Sequence, residues 1–264
     1  KAAGAEPDLI QTGNEISYGM LWGAEGSTAN HCYATSTANW QRFTTLLTQA
    51  GKACREVCPA AKIIIHTERA AQSSVMLSFY QKMSDAKLDY DIIGLSYYPA
   101  YHKDLNTLEA AIRNLENNFA DKDIMVVETG YSYAWALANT TFDYTKTYPY
   151  TEEGQRKFTA DLVTMLRKHD SVKGLFWWWP EDNGNKNVTN AWWNAALYNH
   201  NTGQPYAAFY ELKNFMEGRP SGIATIVSDK PATTGSYDLQ GRRVDASYKG
   251  IVVRDGKKHL QNVR

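Results

Sequence analysis

The sequence predicts an α/β chain in which parallel strands alternate with helices, and specifically a (β/α)8 barrel of which this chain supplies about strands 4 to 8. Three observations predict it. Short β-branched runs alternate with helix-period stretches from residue 8 to about residue 218. Two of the runs end in a glutamate, at Glu15 and Glu128, three strand-helix units apart, so that each unit takes about 38 residues against roughly 31 in a typical barrel. An open doubly wound sheet would be expected to carry a Gly-rich phosphate turn, and neither GxGxxG nor GxxxxGK[ST] occurs.

Taken in order, Leu9 to Thr12 reads as a strand that delivers Gly13-Asn14-Glu15 to its C-terminal tip. From Ser36 to Val57 the apolar residues Trp40, Phe43, Leu46, Leu47, Ala50 and Val57 recur near helical spacing, with Ser36 or Thr37 placed to cap. Lys62 to His66 is a buried strand, and Ser73 to Leu88 a helix capped by Ser73 or Ser74. Asp91 to Ser96 is the next strand, Leu105 to Phe119 the next helix, and Ile124 to Val127 the strand that ends in Glu128. A long polar and aromatic loop precedes a helix over Glu152 to His169, then a strand over Gly174 to Trp178. Pro205 to Met216 forms the last helix, with Pro at its start and Gly218 at its end.

Only five such strands can be counted, whereas an eight-stranded barrel needs eight. Either the first three units lie on residues outside this sequence, or the chain self-associates and closes against a second copy. Residues 1–220 are therefore expected to form the barrel domain with its N-terminal strands absent, and 221–264 a small appendage. There Ile223 to Val227 and Tyr237 to Val244 read as short strands, and Ile251 to Lys258 as a hairpin on an Asp-Gly turn.

Bulk properties narrow the partners. Lys plus Arg balances Asp plus Glu at 28 each, so no global field draws in nucleic acid or an anionic membrane, and neutral partners are favoured. The 8 Trp and 17 Tyr suit apolar sugar faces, which stack on such rings while sugar hydroxyls take hydrogen bonds. No apolar run approaches the roughly 20 residues of a membrane-spanning segment. No signal peptide opens the chain, so any export signal is expected to be removed or upstream. Cys32, Cys54 and Cys58 are odd in number and expected to be free thiols.

Two carboxylic acids at the C-terminal ends of two strands match what glycoside hydrolysis needs, one to protonate the leaving oxygen and one to attack the anomeric carbon or activate water. His66-Thr67-Glu68 beside Cys54 and Cys58 does not make a zinc deaminase site, because there the cysteines follow the His-x-Glu and stand as Cys-x-x-Cys.

The strings Gly13 to Trp22, Leu95-Ser96-Tyr97-Tyr98-Pro99 and Val127-Glu128-Thr129-Gly130-Tyr131 together resemble glycoside hydrolase family 53, over roughly residues 8 to 216. These are arabinogalactan endo-β-1,4-galactanases, barrel enzymes of the retaining clan that places its acid/base on strand 4 and its nucleophile on strand 7. The resemblance implies Glu15 as general acid/base and Glu128 as nucleophile, with carboxyl groups about 5 to 5.5 Å apart. Ionised Glu128 nearby keeps the proton on Glu15 until the covalent sugar ester removes that charge. Asn14 matches the clan's amide to the sugar 2-hydroxyl, and Trp178 the family's strand-8 platform under the sugar. Tyr97 and Tyr98 are expected either to orient the nucleophile or line the floor or to serve as strand-end packing, and His66 to line the cleft or to be a buried histidine satisfied by backbone. The pattern departs at Trp178-Trp179-Pro180, where the family usually has Trp-Glu-Pro and this chain places its glutamate one residue later, at Glu181.

The resemblance implies hydrolysis of the galactan side chains of pectin by a secreted or cell-surface, bacterial enzyme with no organic cofactor. The alternatives are a retaining β-mannanase or β-glucanase of the same clan, or a catalytically incomplete galactan-binding fragment. The oxygen-rich loop Glu181 to Asn185 is a candidate for a structural calcium ion. Asn139-Thr140-Thr141 and Asn187-Val188-Thr189 are sequons that matter only in a glycosylating host. The basic tail is similar to small C-terminal sorting or attachment modules of secreted bacterial polysaccharidases.

Overall fold

The computed structural model describes residues 5–22, 32–34, 36–137, 139–181, 193–217, 235–238, 242–254 and 257–261. The chain resolves into two compact units, Lys1–Pro220 and Ser221–Arg264.

In the first unit β1 (Leu9–Gln11) leads into a small hairpin of β2 (Gly19–Met20) and β3 (Cys32–Tyr33), which the sequence pattern did not signal. Then follow α1 (Thr37–Val57), β4 (Lys62–Thr67), α2 (Ser73–Asp85), β5 (Ile92–Tyr97), a short α3 (Pro99–His102), α4 (Leu105–Asn118), β6 (Asp123–Thr129), α5 (Glu152–Leu166), β7 (Val172–Trp177) and α6 (Ala207–Leu212). Five strands form one parallel sheet in the order β1-β4-β5-β6-β7, which fits the strand-helix alternation.

Local chemistry sets the helix starts. Ser36 accepts from the Asn39 N–H at 3.2 Å, Asp104 from Thr107 at 2.9 Å and Thr151 from Gly154 at 3.0 Å. The start of α2 differs from expectation: its N-cap is Gln72, with no side-chain cap bond, and Ser73 instead accepts from the Asn114 amide of α4 at 2.6 Å. The last helix is also shorter than its pattern suggested, passing at Lys213–Phe215 into a 3-10 turn.

Both faces of the sheet are apolar, as parallel strands require. Ile63, Ile93, Leu95, Ile124, Val126 and Val172 belong to a large core with Phe43, Phe79, Leu108, Ile112, Phe158 and Leu162 of the helices. Ile64, Ile92 and Met125 form a second cluster on the opposite face, joined by Leu9 and Val127. A Cβ on Gly94 would lie 2.8 Å from Ile64 Cγ2, so that second face is tightly packed.

In the second unit the four-stranded antiparallel sheet runs β11-β10-β8-β9, built from β8 (Ser236–Tyr237), β9 (Arg243–Val244), β10 (Gly250–Arg254) and β11 (Lys257–Gln261). Tyr237 to Val244 is not the single strand expected. It folds back, with Ser236 opposite Val244, and the buried Asp238 carboxylate accepts from the Arg242 N–H at 2.9 Å and from its guanidinium at 2.7 Å. The expected strand Ile223 to Val227 and the turn residues Asp255-Gly256 lie outside the described residues.

Candidate active site

The C-terminal ends of β1, β4, β5 and β6 bring five of the expected site residues together. At the end of β1 the chain turns through Gly13, with φ 97°, where a Cβ would lie 2.7 Å from both Ile16 Cγ2 and Met20 Cε. Glu15 then takes a left-handed backbone, φ 49° and ψ 53°, a conformation that costs a non-glycine residue about 1 kcal/mol and is found at functional sites. This turn aims the Glu15 N–H at His66 Nδ1, 3.3 Å away on β4. Beyond it, Ser17 and Glu68 share a hydrogen bond and Arg69 Nε donates to Ser17 Oγ at 2.8 Å, tying the loop to the end of β4.

Glu128 reaches the same place by a bulge. Strict alternation after Met125 and Val127 would turn the next side chain to the helix side. Between Leu95 and Ser96, however, the partner on β6 jumps from Val126 to Glu128, one residue more than on β5. The extra residue swings Glu128 onto the face of Ser96.

One carboxylate oxygen of Glu15, one of Glu128 and a ring nitrogen of His66 lie within 4.8 Å of one another. Ser96 Oγ donates to Glu15 Oε1 at 2.6 Å and lies 2.8 Å from His66 Nε2. The Tyr98 hydroxyl donates to Glu128 Oε2 at 2.9 Å. Tyr98 is held in turn by His102, whose Nδ1 accepts the Tyr98 N–H at 3.0 Å. Burial raises the Glu128 carboxyl above its ordinary value, and the Glu15 charge adds to this, while hydrogen bonds from Tyr98 and from the Asn14 amide pull the other way. Burial lowers His66 to about 4, so its imidazole is neutral near pH 7. Both its ring nitrogens have partners, which suits proton handling better than metal binding, although Glu15, His66 and Glu128 are the one group of metal-capable donors found among the described residues.

Two expected site residues stand apart from this cluster. Tyr97 takes the packing alternative: it is fully buried on the helix side of β5, its hydroxyl donates to the Lys103 carbonyl at 3.0 Å and its ring stacks on Phe158 at 6.5 Å. Neighbouring strand residues face opposite ways, so only one of Tyr97 and Tyr98 can reach Glu128. Trp178 follows β7, with its N–H on the Thr129 carbonyl of β6 at 2.7 Å and its ring 40% exposed, edge-on to Trp179 at 5.5 Å. Sequence reasoning did not single out Ser96 and His102. The signal for Ser96 was there, since it lies two residues before Tyr98 and must share its face. The calcium candidate beyond Glu181 and the Asn187 sequon lie outside the described residues.

The model of glycosyl hydrolase family 53 matches residues 1–210. The chain belongs to that family. The "uncharacterized protein in bgaB 5'region" of Niallia circulans is 31% identical over 228 residues, which are 81% of this chain and 61% of that protein. An arabinogalactan endo-beta-1,4-galactanase of Cellvibrio japonicus is 31% identical over 186 residues, 65% of this chain and 46% of that enzyme. The solved "GH53 catalytic domain" of Ignisphaera aggregans superposes with a TM-score of 0.63 at 28% identity, covering 79% of this chain and 58% of that one. The five-stranded sheet is thus part of a (β/α)8 barrel, and the chain spans between 46% and 61% of the length of these curated relatives. Among the described residues no helix is long and apolar enough to cross a membrane.

Proposed function

We propose that this family 53 chain carries the catalytic edge of a retaining endo-β-1,4-galactanase that cleaves the neutral galactan side chains of pectin. The carrying observation is the approach of the Glu15 and Glu128 oxygens to within 4.8 Å. Retaining enzymes hold their carboxyl groups about 5 to 5.5 Å apart, whereas inverting ones leave roughly 6.5 to 9.5 Å for a water.

In this reading Glu128 attacks the anomeric carbon and Glu15 protonates the leaving oxygen. Glu15 then deprotonates the water that opens the glycosyl ester. The Tyr98 hydroxyl supports this division: it donates to Glu128, which favours the ionised form a nucleophile needs. Asn14 stands where it can meet a sugar 2-hydroxyl, and the exposed Trp178 ring offers an apolar platform at the rim. A secreted bacterial setting accords with a polymeric plant substrate.

Release of reducing sugar from linear β-1,4-galactan, set beside mannan and cellulose, tests the reading. Turnover on galactan that Glu128→Ala lowers by about 10³-fold or more supports it. Preference for mannan or cellulose would move the activity to another retaining hydrolase of the clan. Galactan binding by folded protein without turnover would leave a sugar-binding fragment.

A further inference from the structure

A chain of polar side chains runs from Glu15 through Ser96 and His66 to Asn14. Glu15 Oε1 lies 2.6 Å from Ser96 Oγ, which lies 2.8 Å from His66 Nε2. His66 Nδ1 lies 3.2 Å from Asn14 Oδ1. At Nδ1 two partners compete: the Glu15 N–H, which can only donate, and Asn14 Oδ1, which can only accept. Each selects a different neutral tautomer of the imidazole.

We propose that Ser96, His66 and Asn14 form a reversible hydrogen-bond relay whose direction follows the protonation of Glu15, the tautomer of His66 reporting it. When Glu15 is ionised, Ser96 donates to Glu15, Nε2–H donates to Ser96 and Nδ1 accepts the Glu15 N–H. When Glu15 is protonated, it donates to Ser96, Ser96 donates to Nε2, and Nδ1–H donates to Asn14 Oδ1.

Passage from the first state to the second takes up one proton from hydronium, which leaves as water. It enters at Nδ1 on the exposed Asn14 side; the Nε2 proton passes to Ser96 Oγ as the former Ser96 proton passes to Glu15. The hydronium O–H, the Nε2–H and the former Ser96 O–H bonds break, the Nδ1–H, new Ser96 O–H and Glu15 O–H bonds form, and the imidazole is neutral before and after. The ring is fully buried, and burial holds its pKa at about 4, so no lasting imidazolium is needed. The titratable groups nearest the ring are Glu15 on the β1 loop and Glu128 on β6. Tyr98 on β5 is pushed far above its ordinary value by burial and keeps its proton, and beyond β4 the Glu68 and Arg69 charges pair with each other at 3.0 Å. His66 and Ser96 are therefore positioning residues.

The relay rests on Glu15 being the acid/base, but its test needs no substrate, so failure of the relay and failure of the galactanase reading are separable. Long-range proton-nitrogen correlation spectra of the 15N-labelled chain, with His66 assigned through His66→Gln, read the tautomer directly. The expected result is an exchange of the protonated-nitrogen and bare-nitrogen shifts between Nε2 and Nδ1 as pH falls, with Nε2–H dominant on the alkaline side; protonation of both nitrogens together with no prior exchange would overturn the relay. Glu15→Ala and Ser96→Ala, each checked for a native amide spectrum, are both expected to abolish the exchange, and Ser96→Thr to restore it. A single tautomer across the range in the unmodified chain would overturn the relay. So would the same exchange persisting in either alanine variant.

Discussion

At the N-terminal end of the sheet opposite charges meet, and at the C-terminal end like charges do. Arg55 of α1 donates to Asp89 and to Asp91, each at 2.8 Å, and Lys62 at the start of β4 lies 3.3 Å from the other Asp91 oxygen. Burial alone would raise the Asp91 carboxyl, but the Ile63 N–H, Arg55 and Lys62 together hold it below its ordinary value. At the other end of the same strands Glu15 and Glu128 face one another, Glu128 is raised, Glu15 has a strained backbone, and a buried histidine is held neutral. One end fastens helix to sheet. The other holds groups whose proton affinities are pushed from their usual values, as acid-base chemistry requires.

The contrast is broken most visibly by Glu128→Ala. Turnover is expected to fall by about 10³-fold or more with no loss of thermal stability, because a raised, partly buried carboxyl facing another is removed. Paired galactan assays and melting curves check both halves; a large drop in melting temperature would place Glu128 among the fastening residues.

Acid comes next. His66 and His102 are each lowered to about 4, chiefly by burial, so the unfolded chain binds more protons between pH 6.5 and 4 and stability falls across that window. The loss reaches at most about 3 kcal/mol for fully buried His66 and less for partly exposed His102. Glu128, being raised, works in the opposite sense and offsets part of it. Urea midpoints at pH 7, 5.5 and 4 read the net slope, and a His66→Gln chain should show a shallower one.

At the fastening end, Arg55→Ala should cost about 1 to 3 kcal/mol and leave the His66 tautomer pattern unchanged, since it removes the guanidinium bonds to Asp89 and Asp91 without touching the site. The smallest effect is expected from Thr151→Ala, which removes the α5 cap for about 1 kcal/mol. Denaturant unfolding resolves both.

The sequence made the five strands and the two glutamates legible because buried parallel strands are short continuous apolar runs and each of these glutamates closes one of them. It could not show that Glu128 needs a bulge, since the extra residue is defined only against β5. It did not separate Tyr97 from Tyr98, although alternation from Gly94 through Ser96 would have done so. The β2 and β3 hairpin was missed because two-residue strands leave no period to read. The contribution of His102 was hidden for a different reason: its partner is the backbone N–H of Tyr98, which any residue there would carry.

The most direct test of the central claim is covalent trapping. A 2-deoxy-2-fluoro β-galactobioside with an activated leaving group slows hydrolysis of the glycosyl ester more than its formation, so a retaining site accumulates the adduct. Mass spectrometry of the digested chain should then find one fluorogalactobiosyl group, on the peptide that carries Glu128, and none in Glu128→Ala. An adduct on Glu15 or elsewhere, or none on folded protein, would contradict the account.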